Sequence, residues 1–298
     1  MSGPRNAKGA PDKKRTELVD RRADAAYLID TFAATQRRAC ELANIARSSY
    51  RHKPQPGKDK TLTESLRKLA AEKPRYGYRR LGVLLERAGE VVNHKRLFRI
   101  YRAAGLSVKR RKRKRLVRVG LPAFVATEPN QQWSIDFVHD RMGNGRAMRV
   151  LTVVDTFTRE CLALEVDTSL PSRRVTRALD AVIAARGRPE KIRLDNGSEL
   201  TSRHFLCWGI DRRIELNHTE PGKPVQNAHI ESFNGRLRDE CLNTSWFRNL
   251  WDARRRIAAW RHEYNHERPH SSLDYRTPNE FASNWLAAQT PTAYSGVA

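Results

Sequence analysis

Residues 133–140 read WSIDFVHD, residues 148–155 MRVLTVVD and residues 160–166 ECLALEV. Each run is short, rich in β-branched and aromatic residues, and bounded by turn formers. Gly143-Asn144-Gly145 follows the first, and Asp155 to Thr158 follows the second. The pattern predicts three consecutive strands in an antiparallel meander. Downstream, Ser172 to Arg186 carries Val175, Ala178, Leu179, Val182 and Ile183 at helical spacing and stops at Gly187-Arg188-Pro189. KIRLD, residues 191–195, reads as a further short strand. A strand reached through a helical crossover pairs in parallel.

Three acids stand out against this frame. Asp136 lies inside the first strand, between Ile135 and Phe137. A carboxylate there costs free energy unless it is paired or binds a metal. Asp195 ends the fourth strand, at the sheet edge where ligands of α/β sheets bind. Glu231 lies in VQNAHIESFNGRLRDECL, residues 225–242, which reads as a helix with Ala228, Ile230, Phe233 and Leu237 as its apolar positions. Gly235 costs that helix roughly 1 kcal/mol. Between the acids lie 58 and 35 residues.

The order β-β-β-α-β matches a ribonuclease H-like architecture, an α/β core on a mixed five-stranded sheet. Such folds carry an acid on the first strand, another after the fourth, and a third on the following helix. Three converging carboxylates repel unless cations neutralise them. Two Mg²⁺ about 3.5–4 Å apart can do so while activating an attacking oxygen and stabilising a leaving one. Asp136, Asp195 and Glu231 are therefore the candidate catalytic residues and the candidate ligands of two Mg²⁺, for which Mn²⁺ can substitute. Asp155 and Asp140 read as turn acids. His262, His266 and His270 have metal-like spacing, but Pro269 ends the helix before the third, and they are not assigned a metal.

Charge divides the 298-residue chain unevenly. The net is +24, and residues 1–120 hold 33 Lys and Arg against 11 Asp and Glu. The remainder holds 24 against 22, and all six Trp lie at or beyond Trp133. A basic amino-terminal part beside a near-neutral part points to a polyanion-binding arm, with DNA as the polyanion. No apolar run approaches the ~18 residues of a membrane span. Four scattered cysteines without a C-x-x-C pair argue against a zinc finger or disulfide framework.

Within the arm, residues 1–24 read as a tail. Residues 25–51 form a helix-turn-helix-like segment, with one short helix to Leu42, a turn near Asn44 and another helix from Ala46. Residues 52–60 are a linker, and 61–108 an all-α DNA-binding domain broken at Pro74 and Gly77. Its last helix, NHKRLFRIYRAA, puts Lys95, Arg96 and Arg99 on one face. Residues 109–126 are a basic linker whose core, Lys109, Arg110, Arg111, Lys112, Arg113, Lys114 and Arg115, can neutralise phosphates without reading sequence. The core runs from 127 to 286, and 287–298 is a second tail. Arg238 lies two helical turns beyond Glu231, on nearly the same face, and can contact a phosphate beside the acids. Lys223, Gln226 and Asn227 add donors in the loop before that helix.

Taken together, RRACELANIARSSYR, YGYRRL, NQQWSIDFV, RVLTVVDTFTRECLALEV, LDNGSE, PGKPVQNAHIESFNGRLRDECLN and YNHERPHSSLDYRTPNEF resemble the transposases of insertion-sequence family three, in the downstream-frame OrfB form. The resemblance covers roughly residues 28–285. It implies a retroviral-integrase-like core, Mg²⁺ dependence and DNA strand transfer, with Asp136, Asp195 and Glu231 as the acids and Arg238 as the basic residue beyond them. It further implies a homo-oligomer on DNA, association or fusion with an upstream-frame product, and a bacterial cytoplasmic, nucleoid-associated setting. Leu194 and Ser198 depart from the family's usual residues around Asp-Asn-Gly without removing a ligand. Two other classes compete: a non-catalytic DNA-binding regulator, and a stand-alone nuclease of the same fold.

Overall fold

The computed structural model describes residues 18–52, 57, 59–108, 124–219 and 228–289. They fall into two compact units, Met1–Leu62 and Thr63–Ala298. The first contains α1 (Leu18–Phe32), α2 (Gln36–Leu42) and α3 (Arg47–Arg51). Thr35 caps α2 by accepting from the Arg38 amide. Asn44 turns the chain at φ +50°, a conformation its side chain tolerates better than most. The turn and the second short helix fall where the sequence puts them. A tail to residue 24 is expected, and α1 already occupies Leu18–Phe32. Its Arg21 and Arg22 donate to the carbonyls of Asn44 and Ser49, which ties α1 to the turn and to α3.

Three helices precede the sheet: α4 (Lys60–Glu72), α5 (Tyr78–Arg87) and α6 (His94–Ala103). Asn93 caps α6 through the Lys95 amide, and Gly105 follows it at φ +72°. Leu97, Ile100 and Tyr101 are buried, which turns the basic positions of α6 outward.

The sheet comprises β1 (Gln132–Arg141), β2 (Ala147–Asp155), β3 (Cys161–Asp167), β4 (Lys191–Leu194) and β5 (Glu215–His218), in spatial order β3-β2-β1-β4-β5. The first three strands are an antiparallel meander, and β4 and β5 pair in parallel. Both faces are covered, so the strands read as nearly continuous apolar runs. Trp133, Ile135, Leu151, Val153 and Ile192 pack towards α7 (Ser172–Arg186) and α8 (Arg203–Asp211). Val138, Val150 and Val154 pack on the other face, towards α9 (Ala228–Glu240) and α10 (Leu250–His266). A last helix, α11, spans Pro278–Gln289. This is the ribonuclease H-like arrangement the strand order predicts.

The edge strand β3 is not left open. Arg261 donates to the carbonyls of Cys161 and Leu162, Arg254 to that of Val166, and Asn265 pairs with both backbone groups of Cys161. These α10 side chains occupy groups that another strand could otherwise pair with.

The helices over 63–108 fall in the same compact unit as the sheet. Lys73 pairs with Glu263 at 2.7 Å, Arg80 with Glu240 at 3.6 Å and Arg87 with Glu280 at 2.8 Å. Tyr76 donates to Glu263 at 3.1 Å. At the centre, Arg268 is 1% exposed and grips Glu240, the last residue of α9, through two bonds of 2.6 and 2.7 Å. The rings of Tyr76 and Tyr264 lie against its guanidinium. No helix among the described residues is long and apolar enough to cross a membrane.

Removing one partner of a buried pair strands the other charge. Arg268→Met is expected to cost about 3–5 kcal/mol of unfolding free energy in urea titrations. Arg268→Met with Glu240→Met is expected to recover at least half of that loss. A double variant no better than the single one would show that shape, not charge, dominates at this position.

Candidate active site

Strand parity decides where Asp136 points. Successive side chains alternate between faces. Trp133 and Ile135 face α7 and α8, so Asp136 shares the face of Val138, beneath α9. Ile192 and Leu194 of β4 face α7 in the same way. β1 and β4 pair in parallel with Ser134 level with Arg193. The ladder ends there, Asp195 follows β4 directly, and its charge acts on Asp136 two residues further along β1.

The helix α9 crosses this face on Ile230, Phe233 and Leu237. Glu231, Asn234 and Arg238 follow at spacings of three and four, one stripe along the helix. Asn234 Nδ2 donates to Asp136 Oδ2 at 2.7 Å, and Arg238 donates to the His139 carbonyl at 3.2 Å. The stripe therefore runs along β1, with exposed Glu231 one turn before Asn234. The other Asp136 oxygen accepts from the Phe137 amide at 2.7 Å. Burial is the main force raising the Asp136 carboxyl, and the charges of Asp195 and Glu231 raise it further, against the two hydrogen bonds.

The three acids are thus gathered within electrostatic range. They are not drawn to one point: among the described residues, no three His, Cys, Asp or Glu side chains stand close enough to hold a metal. The donor set still fits a hard divalent cation, being all carboxylate oxygen and mutually repulsive. Asn234 Oδ1 is buried beside Asp136 and has no hydrogen-bond partner, so the polar demand of the site is not fully met from within.

Asp195 accepts from the Gly197 amide at 3.1 Å, which turns the chain directly after β4. That loop is tied to β2, because Arg149 pairs with Glu199 while lying 4.5 Å over the Phe137 ring. The hydrogen bond from Arg149 is the chief cause holding the Glu199 carboxyl below the usual range. Glu199 is thereby committed to Arg149, while Asp195 accepts from a backbone amide of its own turn.

Lys95 and Arg99 are exposed and Arg96 is half-buried on α6, on the face the sequence assigns them. The run Lys109 to Arg115 and the donors Lys223, Gln226 and Asn227 lie outside the described residues. Asp155 is buried, and its carboxylate accepts from the amides of Asn130, Phe157 and Thr158, the turn role expected of it. Asp140 accepts from the Arg141 amide. His262 and His266 stack at 4.6 Å, while His270 is buried against the Tyr264 carbonyl and is pushed down to about 2, first by burial. Asn234 escapes the sequence reading, although its place three after Glu231 and four before Arg238 is a usable signal.

Folding favours the protonated form of Asp136, because its carboxyl is raised. Stability from that group is complete below the ordinary value of 3.8 and is lost as pH rises through the folded value. In chelator at pH 7, Asp136→Asn is therefore expected to unfold at higher urea than the wild type. The margin should narrow as pH falls towards 3.8. An equal or lower midpoint at pH 7 would refute the strained carboxylate.

Comparison with known proteins identifies the family of the chain. An integrase core domain family matches residues 126–224, a second family of the same description matches 212–278, and an HTH-like domain matches 58–115. The segment 25–51 lies outside that helical match. The "Insertion element IS407 uncharacterized 31.7 kDa protein" of Burkholderia multivorans is 46% identical, over 87% of this chain and 95% of that one. The "Insertion element IS476 uncharacterized 39.2 kDa protein" of Xanthomonas euvesicatoria is 43% identical, over 98% and 85%. The "Putative transposase InsK for insertion sequence element IS150" of Escherichia coli is 28% identical, over 70% and 77%.

Proposed function

The chain belongs to the insertion-element transposases built on an integrase core, a family of DDE-type polynucleotidyl transferases, and from that premise we propose that Asp136, Asp195 and Glu231 are its catalytic acids. They would hold two Mg²⁺, or Mn²⁺ in their place. The reaction is cleavage of one strand at the ends of the element, followed by transfer of the freed 3′-hydroxyl onto another phosphodiester. One observation carries the reading: Asp136, bonded to Asn234 beneath α9, is raised by burial and then by the charges of Asp195 and Glu231. Charges gathered at such a cost mark a functional site better than a structural one.

When bound, two divalent ions supply the positive charge that in-line phosphoryl displacement requires. The chain's own residues do the rest. Asn234 and the Phe137 amide fix the Asp136 carboxylate. The Arg149–Glu199 pair fixes the turn that presents Asp195. Arg238, tethered to the His139 carbonyl, offers its remaining donors to a strand lying along α9. Outside the core, Lys95, Arg96, Arg99 and the run Lys109 to Arg115 hold DNA chiefly through phosphates, with Lys223, Gln226 and Asn227 as donors before α9. The protein is proposed to act as a homo-oligomer on paired ends in the bacterial cytoplasm, alone or joined to an upstream-frame product.

The test uses purified full chain, Mg²⁺ and a duplex carrying the element's end. Asp195→Asn is expected to lower strand cutting and joining by roughly 10²–10³-fold, the scale of losing one electrostatic contact to a developing charge. Duplex binding in chelator is expected to be unchanged. Undiminished cutting would sink the assignment of the acids. Binding with no cutting by the wild type in Mg²⁺ or Mn²⁺ would favour the regulator instead. Mg²⁺ alone is expected to raise the thermal midpoint of the wild type and not of Asp136→Asn.

A further inference from the structure

Two of the six tryptophans stand mostly in water, and both lie where α9 gives way to α10: Trp246 is 74% exposed and Trp251 69%. Single apolar residues on a surface are ordinary. Trp246 is not of that kind, because the fold makes room for it. Met142 to Arg146 turn the chain between β1 and β2, closed by the Met142 amide on the Arg146 carbonyl and the Gly145 amide on the Met142 carbonyl. Gly145 makes the turn at φ +80°, whereas Gly143 has no left-handed backbone to explain it. A methyl group at Gly143 would come within 2.7 Å of the Trp246 ring carbon Cε2. The Gly143 amide donates to the carbonyl of buried Phe247 at 2.7 Å. The indole is thus laid against a bare peptide and held there by its buried neighbour, while most of its surface stays open. A ring fixed in that way loses little freedom when a ligand arrives.

The surroundings are cationic. Arg141 and Arg146 bracket the turn, and Arg248 follows the indole by two residues. All three are exposed, and among the described residues none of their guanidinium groups has a hydrogen-bond or ion-pair partner. Arg238 bonds the His139 carbonyl two residues before Arg141. Against these stand Asp239 and Asp140, whose carboxylate accepts from the Arg141 amide. Asp252 is committed to Arg255 and Arg256, and Glu240 to Arg268. An apolar protein partner would need a continuous apolar patch. Here Leu242 and Phe247 are buried, and the exposed neighbours are Asn243, Thr244, Arg248 and Asn249. One open ring among arginines suits unpaired nucleic acid instead: the ring stacks on a base and the arginines meet phosphates.

We propose that Trp246 is the stacking platform for one unpaired base of the DNA being cut, with Arg141, Arg146 and Arg248 meeting phosphates beside it. The proposal rests on the reading of Asp136, Asp195 and Glu231 as the cutting site. Strand β1 joins the two places. It carries Asp136 and is followed directly by Met142, six residues on, a span of about 20 Å at 3.3 Å per residue. That is roughly six steps of a DNA strand at 3.4 Å each, so the base comes from DNA close to the cut. A base must leave the helix before it can stack on a protein ring. The platform therefore favours local unpairing beside the cut.

The test measures binding of the full chain, in chelator, to two duplexes carrying the element's end. One is fully paired, and the other has about six nucleotides beside the cut left unpaired. Trp246→Ala is expected to weaken the unpaired form roughly 5- to 150-fold, the range of one stacked base, and the paired form less than about twofold. Trp246→Phe should keep most of the affinity. Gly143→Ala, whose methyl group displaces the indole, should lose affinity for the unpaired form alone. An abasic site at one position of the unpaired stretch should weaken the wild type and leave Trp246→Ala indifferent. Equal weakening of both duplexes, weakening of neither, or the same response of the two proteins to every abasic site would overturn the proposal. So would a Trp246→Ala that changes the oligomeric state without DNA and leaves both affinities unchanged, which would give the ring to a second copy of the chain. Chelator silences cutting, so failure here is separate from retention of cutting by Asp195→Asn.

Discussion

The grip of Arg268 on Glu240 is the contact on which the arrangement of the acids turns. Glu240 is the last residue of α9, and Arg268 lies just beyond α10, sealed at 1% exposure between two tyrosine rings. A charge so far from water is tolerated only if its partner is fixed and its donors are used. The pair therefore has one geometry, and it pins the far end of the helix whose near end carries Glu231. Between those ends, Asn234 and Arg238 lie along β1, at Asp136 and His139. The helix cannot roll or slide without breaking either the buried pair or these bonds.

The cations of the second half divide into two kinds. Arg254 and Arg261 are spent on the carbonyls of the edge strand, Arg149 on Glu199, and Arg268 on Glu240. They hold the fold. Among the described residues, exposed Arg238 donates to the His139 carbonyl, and the Arg159 guanidinium meets the His229 ring. A net charge of +2 over residues 121–298 is thus no measure of what that half can offer a phosphate, because the neutral sum conceals which charges are committed.

Much of this was legible in the sequence because it rests on local periods. WSIDFVHD shows Asp136 as an acid among alternating apolar residues, and parity alone turns it to the α9 face; KIRLD shows Asp195 directly after a short apolar strand. The turn at Asn44 and the cap at Gly105 are equally local. What stayed hidden is set by partners distant along the chain. Tyr76 and Glu263 are 187 residues apart, and nothing near KPRYGYRRL announces that it docks on α10. Arg21 and Arg22 of α1 bond the distant carbonyls of Asn44 and Ser49, so in the sequence they read as tail charges. The left-handed backbone of Arg159 leaves no mark in composition. Asn234 was visible by spacing, yet an amide among carboxylates draws no attention until its acceptor is known.

The docking of the amino-terminal helices on the catalytic helices bears on how such a protein can change by descent. Lys73, Tyr76, Arg80 and Arg87 each meet an acid on α9, α10 or α11. A recombination event that imported residues 63–108 from a distant cousin would leave Glu240, Glu263 and Glu280 facing strangers, two of them near the same buried arginine. The halves are therefore inherited as a matched set. Change within this segment is constrained least at the exposed positions of α6, such as Lys95 and Arg99, and most at Leu97 and Tyr101, which pack on α5.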